Sequence, residues 1–402
     1  MNRRDFSRLV GLGAAGLATG GAAVPTASAA AGSKDTAGQK ATGAGSAVHS
    51  GRGIARADRK AWAREHFKGF ENILLPSFTP DLKKLDEAGI RLDVRKSIEH
   101  GFFSTLAPAI ALTPAEYRRF LEICVDEAKG RISIAVAGEG GETGPMGRQL
   151  LKDAEAIGAS HMILSLPPTG SAQDLIRYGT EMSEATNMGI YLWMAQIHDF
   201  KRFHPSRIPF EVFDALADLP NVVALKVGDP DPATIFHLFE RYDERMLIGA
   251  LMPNIMPLAV KAYGQQWSGA FTVEAMQTPT KRHAVDYFDL LRAGKYEDAM
   301  KVYWQYVAPL FGAMMKMMGP LMPAGGHPWE HLKVYQFLGG MNGGRMRPDP
   351  HQPNLPKLTE ADLEGPRGLF AKLGLGPVDL PFEAMQVGRL NYEKGVRAKD
   401  LT

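Results

Sequence analysis

The chain has 402 residues, of which 45% are hydrophobic and 22% are charged, an ordinary composition for a globular protein of one large or two small domains. Its formal net charge is +2, and removal of the N-terminal segment discussed next brings it close to zero. This balance argues against nucleic acid or an anionic membrane surface as a partner. The single cysteine, Cys124, excludes an internal disulfide, so core packing must hold the fold.

The N-terminal segment has the features of an export signal. The paired Arg3 and Arg4, a Gly/Ala-rich apolar run and a small-residue cleavage site at residues 27–29 are typical of a twin-arginine signal peptide. We therefore predict a signal peptide over 1–29, export to the periplasm or the cell exterior, and no membrane association after cleavage. The Gly/Ala/Ser-rich composition that follows predicts a flexible linker over 30–65.

Between residues 66 and 280, short apolar runs alternate with amphipathic segments. The eight runs are ENILLPSF, FFSTLAP, RISIAVAG, SHMILSLPP, GIYLWMAQ, NVVALKVGD, RMLIGAL and WSGAFTVEA. Near-continuous apolar runs are typical of parallel strands covered by helices. Eight strand–helix units predict the α/β class and a (β/α)8 TIM barrel. A doubly wound open sheet is the alternative, but the segment after the first run is not the glycine-rich phosphate loop of that fold.

Helical patterns alone follow the eighth run. They predict a C-terminal helical region over 281–378, and the polar composition beyond it predicts a peripheral tail over 379–402. Within the barrel, Thr113 is followed by a proline and then by an acidic residue, which predicts a capped helix start. Cys124 lies on the apolar side of this helix and is predicted to be a small buried packing residue.

One charged residue stands inside an apolar run. Lys226 lies in the sixth run, and the catalytic groups of a TIM barrel stand at the C-terminal ends of its strands. Burial disfavours the ammonium form of lysine, which lowers its pKa and yields an amine able to attack a carbonyl. The alternative is a lysine that pairs with Asp229 or extends to solvent at the strand end.

Four segments together resemble the dihydrodipicolinate synthase / N-acetylneuraminate lyase family of class I aldolases. They are LTPAEYRRFLEICVDEAKGRISIAVAGEG, ASHMILSLPP, NVVALKVGD and HLKVYQFLGGMNGGRMRP, and the resemblance extends from about Phe67 to Gly376. It implies that Lys226 forms an imine with pyruvate or a related 2-oxo acid, with no metal and no cofactor. The dimers and tetramers common in the family imply a homo-oligomer.

The chain departs from the family's pattern in three places, one of which is the segment 167–170 after the fourth run, where prolines replace a pair of tyrosines. The family's Gly-Thr-Thr-Gly-Glu loop, which holds the oxo-acid carboxylate, aligns with the five residues that begin at Ser104. Ser104 and Thr105 are therefore predicted to contact the substrate, whereas Pro108 has no amide to donate. The fifth-strand tyrosine of the family aligns with Trp193, whose indole donates a hydrogen bond but does not shuttle protons. Tyr191 lies on the same side of that strand and is a candidate substitute, with a packing role as the alternative.

Further candidates lie at the predicted catalytic end of the barrel. After the fifth run, His198 or His204 is a candidate general base. The resemblance implies a basic residue that contacts the substrate's distal acidic group here, and Lys201 or Arg202 is the candidate. The alternative for these residues is a solvated loop. Glu274, at the end of the eighth run, is predicted to pair with Lys226 or to act as a base, with a rim salt bridge as the alternative. Two more carboxylates on this rim are Glu139 and Glu142.

These observations support three hypotheses of different classes. The preferred one is a Schiff-base lyase of the aldolase or hydratase type, acting on a 2-oxo acid or an aldehyde. The second is a non-catalytic periplasmic carboxylate-binding protein built on the same barrel. The third is a purely structural oligomer. No His-x-x-x-His pair with a catalytic acid and no thiolate cluster points to a metal.

Overall fold

The computed structural model describes residues 51–138, 147–195, 198–322, 327–349, 354–376 and 379–400. The predicted signal peptide, Glu139 and Glu142 lie outside these residues. The described part contains eight strands, which are β1 (Gly69–Ile73), β2 (Ser104–Ala107), β3 (Ser133–Gly138), β4 (His161–Leu164), β5 (Gly189–Ala195), β6 (Val222–Gly228), β7 (Leu247–Ala250) and β8 (Trp267–Ser268).

Helices precede, separate and follow these strands. They are α1 (Arg59–His66), α2 (Glu87–Glu99), α3 (Pro114–Ala128), α4 (Arg148–Ile157), α5 (Ala172–Glu184), α6 (Phe210–Ala217), α7 (Pro232–Tyr242), α8 (Met256–Tyr263), α9 (His283–Arg292), α10 (Tyr296–Val302), α11 (Ala308–Leu321), α12 (Trp329–Leu338), α13 (Glu360–Lys372), α14 (Phe382–Val387) and α15 (Arg389–Glu393). Helices α2 to α9 each follow one strand, and the later helices form the C-terminal region. Among the described residues, no helix combines the length and the apolar character needed to cross a membrane.

The strands form one parallel sheet in the order β7-β6-β5-β4-β3-β2-β1-β8. At the seam between β8 and β7, Ser268 Oγ and Gln265 Nε2 both donate to the carbonyl of Ala250, at 3.0 and 2.9 Å. Trp267 packs so closely on Gly249 that a Cβ there would lie 2.7 Å from the indole. The sheet is therefore a nearly closed (β/α)8 TIM barrel with C-terminal helices, which confirms the predicted fold class.

Local signals in the sequence account for α3. The Thr113 side chain accepts a hydrogen bond from the backbone of Glu116, and the Glu116 side chain accepts one from the backbone of Thr113. This reciprocal cap satisfies N–H groups that would otherwise be unpaired, a gain of about 1 kcal/mol. Cys124, on the inner face of α3, is fully buried, as predicted for a packing residue.

The predictions for the two ends of the ordered chain need correction. The linker was predicted to reach residue 65, and the last part of that prediction is wrong. Helix α1 buries Trp62 and Ala63, and Lys60 Nζ donates to the carbonyl of Ala217 at 2.6 Å. The tail beyond residue 378 is not peripheral, because α14 buries three side chains: Ala384, Met385 and Val387. Composition alone did not distinguish these short packed helices from solvated chain.

Candidate active site

Lys226 crosses the interior of the barrel. It lies on β6, is only 5% exposed, and its Nζ donates to the carbonyl of Ala270 at 2.8 Å. Because Ala270 follows β8, which is not a neighbour of β6, this contact spans the lumen. Trp193 is the register partner of Lys226 on β5, and its ring centroid lies 4.7 Å from Nζ. Asp229 accepts from the backbone of Asp231 instead, so neither the pairing with Asp229 nor the extension to solvent is formed.

The environment of the Lys226 amine favours its neutral form. Burial lowers the pKa of Lys226 from 10.5 to about 7, and the nearby Glu71 carboxylate opposes this fall. At pH 7 about half of the amine is then unprotonated, compared with about one part in 3000 for an ordinary lysine. The side chain is thus suited to attack a carbonyl without a separate base to activate it.

A buried polar network lies one layer deeper in the barrel. Tyr191 Oη donates to Glu71 Oε1 at 2.6 Å, and His161 Nε2 lies 2.6 Å from Glu71 Oε2. Tyr191 pairs in register with Ala224, two residues before Lys226, which places it nearer the N-terminal end of the barrel. Burial and the adjacent Glu71 raise the pKa of Tyr191 well above its ordinary value. Tyr191 therefore stays protonated and donates to Glu71, on the N-terminal side of the Lys226 amine.

The two predicted residues of β2 face in different directions. Ser104 points into the lumen, where its Oγ donates to the carbonyl of Ser133 and lies 3.3 Å from His161 Nε2. Since successive side chains of a strand alternate between its faces, Thr105 faces the surrounding helices. Its hydroxyl is buried, and no hydrogen-bond partner for it lies in the described part of the chain. This corrects the expected contact of Thr105 with the substrate, while Ser104 belongs to the buried network.

Glu274 does not reach Lys226. The eighth strand ends at Ser268, and Glu274 lies in a 3-10 turn. Its Oε1 accepts from Asn72 Nδ2 at 2.5 Å, and Asn72 also donates to Ser97 of α2, which places this pair behind β1. Burial raises the pKa of Glu274 to about 8. The expected pairing with Lys226 is therefore corrected to a contact with Asn72.

Two histidines surround Trp193 at the C-terminal end of the barrel. His198 packs edge-to-face against Trp193 with ring centroids 4.7 Å apart, and His327 lies 5.7 Å from it. Burial and the charge of Lys226 lower the pKa of each histidine to about 4. The Ala195 backbone N–H donates to His198 Nδ1 at 3.2 Å, so in the neutral ring the proton sits on Nε2. His198 then has no free lone pair, which corrects its expected role as a general base.

Arg202 joins two loops at this end of the barrel. Its Nη1 donates to the carbonyl of Pro168 at 2.7 Å and its Nε to that of Gly170 at 3.2 Å. The guanidinium also stacks over the ring of Phe203 at 4.3 Å. Arg202 thus ties the loop after β5 to the loop after β4, and no structural contact links it to Lys226 in the part of the chain described here. Within those same ranges, no three His, Cys, Asp or Glu side chains form a group that could hold a metal ion.

Sequence reasoning identified Lys226 and the residues of β5 but missed three participants. Glu71, next to Asn72, and His161, next to Ser160, are ionisable residues within otherwise apolar runs, a weaker signal of the same kind as that of Lys226. His327 lies about a hundred residues beyond Lys226 in the C-terminal region. Only the packing of that region on the barrel brings it to Trp193.

The fold and the site together define a TIM-barrel protein with a buried, weakly basic lysine near the C-terminal end of its sixth strand. No family model matches the chain. It is similar to the 4-hydroxy-tetrahydrodipicolinate synthase of Methanopyrus kandleri, with 24% identity over 318 residues that cover 77% of this chain and 97% of the relative. It is also 24% identical to a probable 5-dehydro-4-deoxyglucarate dehydratase of Acinetobacter baumannii over 271 residues, 66% of this chain and 80% of the relative.

Solved structures match the fold of this chain over most of its length. A dihydrodipicolinate synthase matches with a TM-score of 0.60 and 18% identity over 77% of this chain and 100% of the other. The N-acetylneuraminate lyase of Fusobacterium nucleatum, complexed with pyruvate, matches with a TM-score of 0.58 and 15% identity over 77% and 97%. The curated relatives agree with the resemblance to the dihydrodipicolinate synthase / N-acetylneuraminate lyase family that the sequence predicted, and the solved structures agree with the TIM-barrel fold.

Proposed function

We propose that this protein is a Schiff-base-forming lyase of the aldolase or hydratase type, with Lys226 as its nucleophile. Its substrate would be a 2-oxo acid such as pyruvate, or an aldol adduct of one. The observation that carries the proposal is the state of Lys226, a buried amine whose pKa falls to about 7 and whose hydrogen-bond partner is a backbone carbonyl rather than a carboxylate. The curated synthase and dehydratase relatives support the same class of reaction.

The chemistry follows from the neutral amine. The lone pair of Lys226 Nζ adds to C2 of the 2-oxo acid, and a proton passes from nitrogen to the former carbonyl oxygen. Uptake of one proton from solvent and loss of water convert this neutral carbinolamine into a protonated imine. The imine withdraws electrons from C3, so that either loss of a C3 proton to solvent, or cleavage of the C3–C4 bond with release of the C4 hydroxyl proton and an aldehyde, leaves a neutral enamine. The carbonyl of Ala270 accepts an N–H of the amine and orients the lone pair, but it takes no proton.

The test is trapping of the imine by borohydride. The protein is incubated with pyruvate and longer 2-oxo acids, reduced, digested and analysed by mass spectrometry. We expect a stable secondary amine on the peptide that contains Lys226, and none in Lys226→Arg. Lys333 is a matched internal control, since it is also buried with a pKa lowered to about 8 but donates to the carbonyl of Pro76 outside the lumen. Absence of any adduct, or equal labelling of Lys333, would contradict the proposal.

We further propose that the protein is exported by the twin-arginine route and assembles as a dimer or tetramer. The motif at Arg3 and Arg4 supports export, and the family resemblance supports assembly. Cell fractionation should find a shortened protein in the periplasm, and replacement of both arginines by lysine should retain the full-length chain in the cytoplasm. Analytical ultracentrifugation of the exported protein reports the assembly. Equal export of the wild type and the variant with both arginines replaced would contradict the export proposal. A monomer at all concentrations would contradict the assembly proposal.

A further inference from the structure

Two aromatic side chains beside Lys226 carry N–H groups without acceptors among the described residues. Trp193 Nε1 is buried and has no hydrogen-bond partner within those ranges. His198 is only partly buried, and it carries its proton on Nε2 because its Nδ1 accepts from the backbone of Ala195; this second N–H is available to a ligand but is not a buried unpaired group. A buried donor without an acceptor costs about 1–3 kcal/mol, so such a group in a native structure calls for an explanation such as a ligand.

The position of these donors points to a ligand that also reaches the amine. The Trp193 ring lies 4.7 Å from Lys226 Nζ and 4.7 Å from the His198 ring. All three side chains stand at or just beyond the C-terminal ends of β5 and β6, where a barrel binds its substrate. A molecule bound at Nζ therefore places its neighbouring atoms next to the two N–H groups.

Two residues in and just after β2 offer no donor to a ligand at Lys226. Thr105 turns its hydroxyl toward the helices, and Pro108 has no amide hydrogen. In a 2-oxo acid the carboxylate is bonded directly to the carbon that Lys226 attacks, so it would lie beside the amine. That anion needs hydrogen-bond donors once it leaves water.

We propose that the Trp193 and His198 N–H groups form the subsite that binds the carboxylate of the 2-oxo acid. This inference rests on the proposed function and adds to it the residues that select a carboxylate-bearing carbonyl. Both donors are uncharged, so they stabilise the anion without repelling the cationic imine that forms at Lys226. The edge-to-face packing of His198 against Trp193 also fixes both rings, which lowers the entropy lost when the carboxylate binds.

The experiment compares two carbonyl probes, pyruvate and acetaldehyde, which differ in the carboxylate. Trp193→Phe and His198→Phe keep an aromatic ring and remove the N–H group. Each should slow borohydride trapping of pyruvate by about tenfold to a hundredfold relative to trapping of acetaldehyde, the loss expected for a hydrogen bond to a charged group. Acetaldehyde corrects for any change in the amine itself, because both probes need the same Lys226. Trp304→Phe is the matched control, since Trp304 is 69% exposed.

The possible results separate this inference from the proposed function. If both probes are trapped more slowly to the same extent, the carboxylate subsite is overturned while the lyase proposal stands. If wild-type protein traps neither probe, the lyase proposal fails, and calorimetric titration with pyruvate decides the subsite. Pyruvate binding that weakens in Trp193→Phe by the same factor would support the subsite. Equal pyruvate binding by the wild type and Trp193→Phe, or no binding at all, would overturn the carboxylate subsite.

Discussion

Replacement of Lys226 by methionine should stabilise the protein while it abolishes imine formation. The folded chain releases the Lys226 proton at a pH of about 7 and the unfolded chain at 10.5, so the unfolded state binds more protons between these values. At 1.36 kcal/mol per factor of ten, buried Lys226 opposes folding by about 5 kcal/mol below pH 7. This penalty shrinks as the pH rises and vanishes above 10.5.

The substitution also removes favourable contacts. The hydrogen bond to Ala270 is worth about 1 kcal/mol, and Glu71 loses a neighbouring positive charge. We therefore expect Lys226→Met to raise the free energy of unfolding by about 2–4 kcal/mol at about pH 6, and by much less at about pH 10. A functional residue that opposes folding is a familiar compromise between activity and stability.

Urea unfolding at several pH values measures this effect. The matched control is Lys333→Met, whose gain in stability should be smaller than that of Lys226→Met, because burial lowers the pKa of Lys333 only to about 8 and the buried Asp93 loses its counter-charge. Lys333 supports the charged form of Asp93, whose pKa burial raises to about 7. A loss of stability in Lys226→Met, or a gain that does not decline with rising pH, would refute the reasoning.

Three further substitutions test the surroundings of the amine. Glu71→Gln removes the carboxylate that favours the ammonium, so the pH midpoint of pyruvate trapping should move lower; an upward or absent shift would contradict this. Tyr191→Phe should retain trapping and cost about 1–3 kcal/mol of stability, because Glu71 loses a donor; complete loss of trapping would instead assign Tyr191 to the chemistry. Thr105→Val should leave pyruvate affinity unchanged and, by urea unfolding, raise stability by about 1 kcal/mol, because it removes a buried hydroxyl without a hydrogen-bond partner among the described residues; weaker binding would show that this hydroxyl faces the substrate.

The fold was predictable from the sequence because its strongest signals are local. Every barrel strand overlaps a predicted apolar run, and five of them (β2, β3, β5, β6 and β7) take up most of theirs. The reciprocal cap of α3 follows from residues three positions apart. The predicted eighth strand was too long: only Trp267 and Ser268 form it, and the rest of the run leaves the sheet. That error alone moved Glu274 from the rim of the barrel to the space behind β1.

The site was predictable only in part, since it depends on side-chain direction and on distant segments. Lys226 was identifiable because a lysine in an apolar strand is unusual in itself. Thr105 was misplaced because a difference of one residue along a strand exchanges its two faces. The tautomer of His198 depends on a backbone N–H three residues away, and the approach of His327 depends on how the helical region packs. Neither feature can be recognised from the spacing of residues in the sequence.

The most direct measurement is the rate of borohydride trapping of pyruvate as a function of pH, with the adduct located by mass spectrometry. If the amine of Lys226 acts as the buried nucleophile described here, the rate rises with pH to a plateau with a midpoint of about 7, and the adduct is on Lys226. A midpoint near 10.5, the ordinary lysine value, or an adduct on another lysine would contradict it.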